Sequence, residues 1–263
     1  MNLISVNYQK CIKCGLCVKE CPEFILKLTE NGPEEVCPEK CIACGHCVAI
    51  CPKEAMDNRL SPLSQQMTVK DFPKLNHEEA EIFLRSRRSI RSYKESAVPR
   101  EKLTKLVNIA HYAPSGHNLQ NISYVIVDDR KILNEAVRIV LEEFEKDNIS
   151  PEFTLPYREK GTDTILRGAT ALILAVSDRN FQRGRENSIL TLTYLELYAP
   201  TLGLGSCWAG MFERVAMKEN SPCNQLFQIP ETKKITGAVM VGYPKYFYSR
   251  AVDRNPLEYR FVN

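Results

Sequence analysis

The sequence predicts a chain in two parts: a small cysteine-organised module at the N-terminus, and behind it a larger layered domain of the α/β or α+β class. Three observations carry this. Nine of the eleven cysteines fall from Cys11 to Cys51, and eight of these form a duplicated pattern. Further on, apolar runs alternate with amphipathic helical stretches, as layered domains require. Between the two parts lies a proline-bearing stretch without clear period, Asp57 to Asn76, which reads as a surface linker.

The cysteines run Cys11-x-x-Cys14-x-x-Cys17-x-x-x-Cys21-Pro22 and again Cys41-x-x-Cys44-x-x-Cys47-x-x-x-Cys51-Pro52, every position repeating at an offset of 30 residues. Three thiolates at this spacing can wrap one face of a cubane iron-sulfur cluster, because a tight loop turns the sulfurs inward while its backbone N–H groups point at the sulfides. Gly15 and Gly45 follow the second cysteine, where the loop must pass close to inorganic sulfide. Each proline ends the short helix holding the third and fourth cysteines, since it has no N–H to give and clashes with the preceding turn. Zinc is the plainer alternative, but zinc sites use pairs of ligands and need no third cysteine followed by Cys-Pro. Disulfides fit less well, because Met1 to Lys10 carries no apolar signal core. Cys37 falls outside the repeat and reads as a spare thiol, with a substitute ligand as the other reading.

This run resembles a bacterial ferredoxin with two 4Fe-4S clusters, over roughly the first 58 residues. In such proteins the cysteine before proline ligates the other cluster. The resemblance therefore implies one cluster on Cys11, Cys14, Cys17 and Cys51, and a second on Cys41, Cys44, Cys47 and Cys21.

The chain has 263 residues, 44% of them hydrophobic, enough for one large domain beside the cluster module. A module this poor in apolar residues must draw most of its fold from its inorganic ligands. The formal charge of +3 shifts by about −4 once eight thiolates and two oxidised cubanes are counted. The first 60 residues carry seven Lys and Arg against eight Asp and Glu, and the remainder carries 28 against 24. This asymmetry favours docking of the module on the rest of the chain and argues against a nucleic-acid partner. No run of about 18 apolar residues appears, so no membrane span is expected, and the chain reads as cytoplasmic.

Along the second part, Asn76 and Glu79 form a capping-box start to a helix with Ala80, Phe83 and Leu84 on one face. Pro99 opens the next helix, with Leu103, Leu106, Val107 and Ala110 at helical spacing. Ala113 to Asn118 is a turn. Ser123 to Val127 reads as a β-branched strand and Lys131 to Lys146 as an amphipathic helix. Pro151 to Thr164 reads as an irregular, polar-aromatic lid. Ala169 to Ser177 is a buried central strand. Glu186 to Tyr198 is a buried helix, Gly203 to Gly210 a loop, and Ile235 to Val241 another buried strand closed by Gly242-Tyr243-Pro244.

Three stretches, Arg87-Arg88-Ser89-Ile90-Arg91, Pro114-Ser115-Gly116-His117-Asn118-Leu119-Gln120 and Gly203-Leu204-Gly205-Ser206-Cys207-Trp208-Ala209-Gly210, resemble in that order the FMN-contacting segments of the nitroreductase family. With Gly242-Tyr243-Pro244 and Arg254-Asn255-Pro256-Leu257, the resemblance covers residues 76–263. It implies domain bounds of 1–58, a linker over 59–75 and a flavin domain over 76–263, the whole being α+β with a mixed central sheet flanked by helices. Arg87, Arg88, Ser89, Arg91 and Arg254 would hold the flavin phosphate, whose oxygens the guanidinium fork matches. Ser115 and Asn118 would meet the isoalloxazine edge and ribityl chain, with Pro114 and Gly116 of the same turn also at the cofactor. Gly203, Gly205 and Gly210 would let backbone approach the flavin face, and Ala209 and Gly210 align with family contacts. Cys207 suits apolar filling and Trp208 a wall. His117 reads either as a plain turn residue or as a substrate contact. Asn121 stands where the family often has proline, and Pro200 breaks the helix before the glycine loop.

The resemblance further implies a homodimer with FMN at the subunit interface and a C-terminal segment reaching over the partner. No protein residue need be catalytic: FMN N5 carries the transfer. The expected function is passage of electrons from two 4Fe-4S clusters to FMN and on to a small acceptor such as a nitro compound or quinone. The external donor would be a ferredoxin, a hydrogenase or an NAD(P)H-linked system. The alternatives are electron transfer to a protein partner, or a specialised reaction of the same fold such as dehalogenation or azoline oxidation.

Overall fold

The computed structural model describes residues 2–69, 72–147 and 151–262. The chain divides into two compact units, Met1–Lys74 with Gly116–Leu119, and Leu75–Ser115 with Gln120–Asn263.

The first unit repeats itself in structure as in sequence. Its elements are β1 (Ile4–Val6), α1 (Leu16–Lys19), β2 (Leu26–Thr29), β3 (Gly32–Glu35), α2 (His46–Ala49) and β4 (Met56–Asn58). β1 pairs antiparallel with β4, and β2 with β3. Positive φ angles recur at the same offset of 30: Lys13 at 57° and Ala43 at 54°, Gly15 at 74° and Gly45 at 72°, Phe24 at 52° and Glu54 at 49°. The left-handed turns are thus part of the duplicated loop, and glycine occupies the one where the chain runs tightest. A Cβ on Gly45 would lie 2.4 Å from Ser61 Oγ. The buried apolar side chains are few: Leu3, Ile4, Ile25, Leu26, Val48 and Met56, with Cys17, Cys21 and Cys47 among them. Beyond β4, the Asp57 carboxylate accepts from the N–H groups of Asn58 and Leu63, each at 2.8 Å, and the Gln66 amide donates to the Ser61 carbonyl at 3.1 Å. The near end of the expected linker is therefore folded by its own side chains.

The second unit is a four-stranded sheet between two layers of helices. In chain order it holds α3 (His77–Ser86), α4 (Arg100–Ala110), β5 (Ser123–Val127), α5 (Arg130–Lys146), α6 (Pro151–Lys160), β6 (Ala171–Asp178), α7 (Gly184–Tyr198), β7 (Gly205–Trp208), α8 (Gly210–Ala216), α9 (Pro222–Leu226) and β8 (Lys233–Gly242). The strand order is β5-β6-β8-β7, with every neighbouring pair antiparallel. A parallel element enters through Ser89, which bridges Ser206. β6 explains its unbroken apolar run by being buried on both faces. Leu172, Leu174 and Val176 face Val140, Phe144 and Phe212, while Ala171, Ile173 and Ala175 face Leu103, Leu106, Leu192 and Leu195.

Caps set the helix starts. Asn76 and Glu79 make the reciprocal box of α3, the Glu79 N–H donating to Asn76 Oδ1 at 2.8 Å and the Asn76 N–H to Glu79 Oε2 at 3.1 Å. The Asp129 carboxylate accepts from the N–H groups of Lys131 and Ile132 at the start of α5. Two expectations are corrected. The stretch read as a lid forms α6, with Pro151 at its first position and Pro156 inside. The glycine stretch read as a loop contains β7, because four residues pair with Val239 to Gly242 despite glycine's poor intrinsic strand preference.

Candidate functional site

In the first unit the duplicated loops build two sulfur-lined cages. One is walled by Cys11, Cys14, Cys17 and Cys51, the other by Cys21, Cys41, Cys44 and Cys47. Each cage thus draws three cysteines from one repeat and the fourth from the other. Ile12, Leu16 and Met56 add apolar wall at the first and Ile25 and Ile42 at the second, with Lys13 and Lys53 at the first and Glu23 and Asn58 at the second as the polar members. Backbone and amide donors reach the sulfurs: the Ala55 N–H meets Cys51 Sγ at 3.2 Å and the Asn58 amide meets Cys41 Sγ at 3.6 Å. Burial pushes the Cys17 thiol up to about 11 and raises Cys47 as well. Such thiols ionise only when a cation compensates the lost hydration. Four sulfurs gathered around one space, amide donors to them and apolar side chains between are the donor set an iron-sulfur cube requires.

The turn Gly116–Leu119 belongs to this unit and not to the one that surrounds it in sequence. The Asn118 amide donates to the Ile42 carbonyl at 3.0 Å, and His117 Nδ1 lies 3.6 Å from Glu23 Oε1. Both partners line the second cage. His117 and Asn118 hold positive φ, at 50° and 52°. In the second unit, the Ser115 hydroxyl accepts from the Gln120 N–H at 3.0 Å.

In the second unit the segment from Arg87 to Arg91 is extended, so alternate side chains leave on opposite faces. Arg87 reaches Glu196, its Nη1 3.7 Å from Oε1. The Ser206 hydroxyl donates to the same carboxylate at 3.2 Å. Burial pushes the Glu196 carboxyl above its ordinary value, against the pull of Arg87 and the Ser206 hydrogen bond. Ser89 and Arg91 stand by Cys207, whose thiol is raised by burial while Arg91 and the Ser89 hydroxyl oppose the rise. Cys207 is buried at the sheet, in keeping with its reading as filling. Arg88 leaves on the other face, with its guanidinium 5.5 Å from the centre of the Tyr248 ring.

That other face opens on a hollow of about 980 Å³. Among the described residues its charged lining is Arg85, Arg88, Lys94, Lys245 and Arg250 against Glu81, with Tyr243, Tyr246, Phe247 and Tyr248 as aromatic wall. Gly203 and Gly205 form part of its floor. A Cβ on Gly205 would lie 2.6 Å from Ile90 Cγ1, so glycine lets the loop close on the Arg87–Arg91 segment there. Cations, aromatic walls and close backbone are what a phosphate-bearing ring compound needs.

Ala209 and Gly210 stand at the start of α8, where the first N–H groups of a helix have no partner within it. A network that the sequence reading did not find holds this corner. Glu213 is buried and takes both prongs of the Arg185 fork, at 3.0 and 2.9 Å. It also accepts from Trp208 Nε1 at 2.7 Å and from the Ala238 N–H at 2.7 Å. Arg185 lies 5.0 Å from the Trp208 ring centre. Trp208 is thus a wall fixed at both its face and its nitrogen. The available signal was one carboxylate in the largely apolar run from Met211 to Ala216.

The structure therefore gathers Arg87, Ser89 and Arg91 at the sheet edge and Arg88 in the hollow, while Ala209 and Gly210 sit at the head of α8. Arg254 is exposed on a tail without regular structure. Pro114 and Ser115 belong to the second unit; Gly116 and Asn118 belong to the first.

Two sulfur cages on one chain, with a cation-lined hollow in a domain whose sheet lies between two helix layers, define a multi-centre oxidoreductase. The chain belongs to the nitroreductase family: the profile of that family matches residues 84–243, and the profile of the 4Fe-4S dicluster domain matches residues 3–52. A provisionally named NADH dehydrogenase/NAD(P)H nitroreductase of Archaeoglobus fulgidus is 28% identical over 174 residues, 64% of this chain and 87% of that protein. The iodotyrosine deiodinase of Thermotoga neapolitana is 28% identical over 166 residues, 61% of this chain and 86% of its own. A nitroreductase from Bacteroides fragilis, solved with bound FMN, superposes with a TM-score of 0.57 at 21% identity, covering 69% of this chain and 98% of that one. Among the described residues no helix is long and apolar enough to cross a membrane.

Proposed function

We propose that the protein is an iron-sulfur flavoprotein that takes single electrons into two 4Fe-4S clusters and delivers them in pairs, through FMN, to a small acceptor such as a nitro compound or a quinone. The observation that carries this reading is the presence on one chain of two four-cysteine cages and a nitroreductase domain. Cys11, Cys14, Cys17 and Cys51 would hold one cluster, and Cys21, Cys41, Cys44 and Cys47 the other. Arg87, Ser89 and Arg91 on one face, with Arg254, would hold the flavin phosphate, while Arg88 lines the hollow on the other face. Glu196 sets the direction of Arg87, and Glu213 holds Trp208 and so the start of α8. FMN, when bound, supplies the exchange between one-electron and two-electron chemistry. The protein side binds and orients, and the proton can come from water. The chain would work as a homodimer, as the family resemblance implies.

The test is an anaerobic reductive titration of purified holoprotein, with iron, sulfide and FMN quantified and a nitroaromatic then added. About eight iron and one FMN per chain, with reoxidation of both centres by the acceptor, supports the reading. Centres that reduce but discharge into no small acceptor would leave a carrier serving a protein partner. A second reading, reductive dehalogenation, is favoured by the similarity to the Thermotoga deiodinase. It predicts that an iodinated tyrosine reoxidises the reduced protein faster than the nitroaromatic does.

A further inference from the structure

The two cages of the first unit are related by the 30-residue repeat, so each rim position of one has a counterpart in the other, and their differences can be read residue by residue. Lys53 at the first cage corresponds to Glu23 at the second, and Lys13 to Ala43. The charged residues lining the first cage are Lys13 and Lys53; at the second the charged lining residue is Glu23. Exposure follows the same division. Ile12 is 57% exposed and its counterpart Ile42 is half-buried, while Cys14 is exposed and Cys44 is half-buried. Tyr8, beside Cys11 and Gly32, is 54% exposed, and Leu16 is exposed as well. The second rim is engaged by the chain itself, with Glu23 beside His117 and the Ile42 carbonyl accepting from Asn118.

From this asymmetry we infer that the first cage is the port at which electrons enter, and that its rim is a docking surface for an acidic one-electron carrier protein. This rests on the reading of the cages as cluster sites. The rim joins exposed apolar side chains, Tyr8, Ile12 and Leu16, to two lysines next to the sulfurs. Redox partners that meet briefly need this combination: a small apolar centre for close approach, and charge to steer the encounter. Lys13 is held in place by donating from Nζ to the Glu30 carbonyl at 2.5 Å. The module as a whole is acidic, by one side chain and by about four further negative charges once both clusters are counted, but at physiological salt charges act over about 8 Å, so the lysines at the rim decide the local field. In each encounter the carrier loses one electron and the cluster in the first cage gains it. Two encounters supply the pair that an acceptor takes up with protons from water.

The test uses holoprotein and a reduced acidic flavodoxin as the probe carrier, with bleaching of cluster absorbance followed in stopped flow before any acceptor is added. The wild-type rate constant is expected to fall about tenfold between low and physiological salt, and Lys13→Glu with Lys53→Glu to lower the low-salt rate by a similar factor. Lys40→Glu, beside Cys41 of the second cage, should change it less than twofold. Binding of oxidised flavodoxin by interferometry should weaken in parallel. Photoreduction by a small deazaflavin should proceed equally in all variants carrying full iron and sulfide. A rate indifferent to salt, or equal slowing by the Lys40 and the Lys13/Lys53 variants, overturns the port assignment. Failure of clusters to assemble in the wild type would instead defeat the cluster reading on which it rests.

Discussion

The two units are held together by different means. In the second, β6 is covered on both faces by aliphatic and aromatic side chains, and Phe144, Phe212, Leu106 and Leu195 are fully buried. In the first, among the described residues, three of the nine members of the buried cluster are cysteines at a cage, and the longest strand has four residues. One unit encloses its site with a core that stands without the cofactor. The other has its prospective ligand where a core would be. A 60-residue unit of this kind buries too little apolar surface to offset its chain entropy unaided.

The largest expected effect follows directly. Anaerobic chelation of iron should unfold residues 2–66 outright while the second unit remains folded, seen as protease-sensitive N-terminal peptides beside a resistant C-terminal fragment. An N-terminal unit that stays resistant without iron would erase the distinction. Next, Phe212→Ala should cost the second unit about 3–5 kcal/mol in urea unfolding, because the ring lies at the centre of one layer against Phe227, 5.8 Å away. Cluster absorbance in that variant should persist until the sheet melts.

Smaller effects sharpen the comparison inside the duplicated unit. Gly15→Ala and Gly45→Ala each force alanine into a left-handed conformation, at about 1–2 kcal/mol. Gly45→Ala also meets Ser61 Oγ at 2.4 Å, whereas Gly15→Ala meets only Leu28 Cδ2 at 3.3 Å. Iron retention during dialysis should accordingly fall further for Gly45→Ala. The smallest effect concerns pH. Burial raises the Glu196 carboxyl in the folded protein, so its contribution is fully present below the unfolded carboxylate pKa and is lost as pH rises through the folded value. Glu196→Gln has no charge to bury. Its melting temperature relative to wild type should therefore rise from acid toward neutral pH; a difference that stays flat would show that Arg87 compensates the charge fully.

Much of this arrangement was legible from residues. The cysteine spacing, the Asn76 box and the apolar runs of β6 and β8 depend on local chemistry, which periodicity and capping rules capture. What stayed hidden depends on pairing over distance. β7 was masked by its glycine and is a strand because β8 offers it an edge. α6 was masked by Pro156, which removes one backbone donor without preventing the turns on either side. The basic run Arg87 to Arg91 was read as one cluster, whereas its extended backbone divides it between two faces, a division that period-two reasoning would have found. Glu213 and Arg185, 28 residues apart, announce their fork nowhere in the linear order.

The crossing of the two repeats, Cys51 in the first cage and Cys21 in the second, has a consequence for damage. A cluster lost from one cage would free a thiol in the loop of the other repeat, Cys51 for the first cage and Cys21 for the second, and so loosen the backbone that shapes its neighbour. Exposed Cys14 is where an oxidant would arrive first. Injury there should spread across the pair, so that native mass spectra of a partly oxidised population show intact and stripped chains with few in between. The repeat would then act as a fuse, taking a damaged chain out of circulation whole.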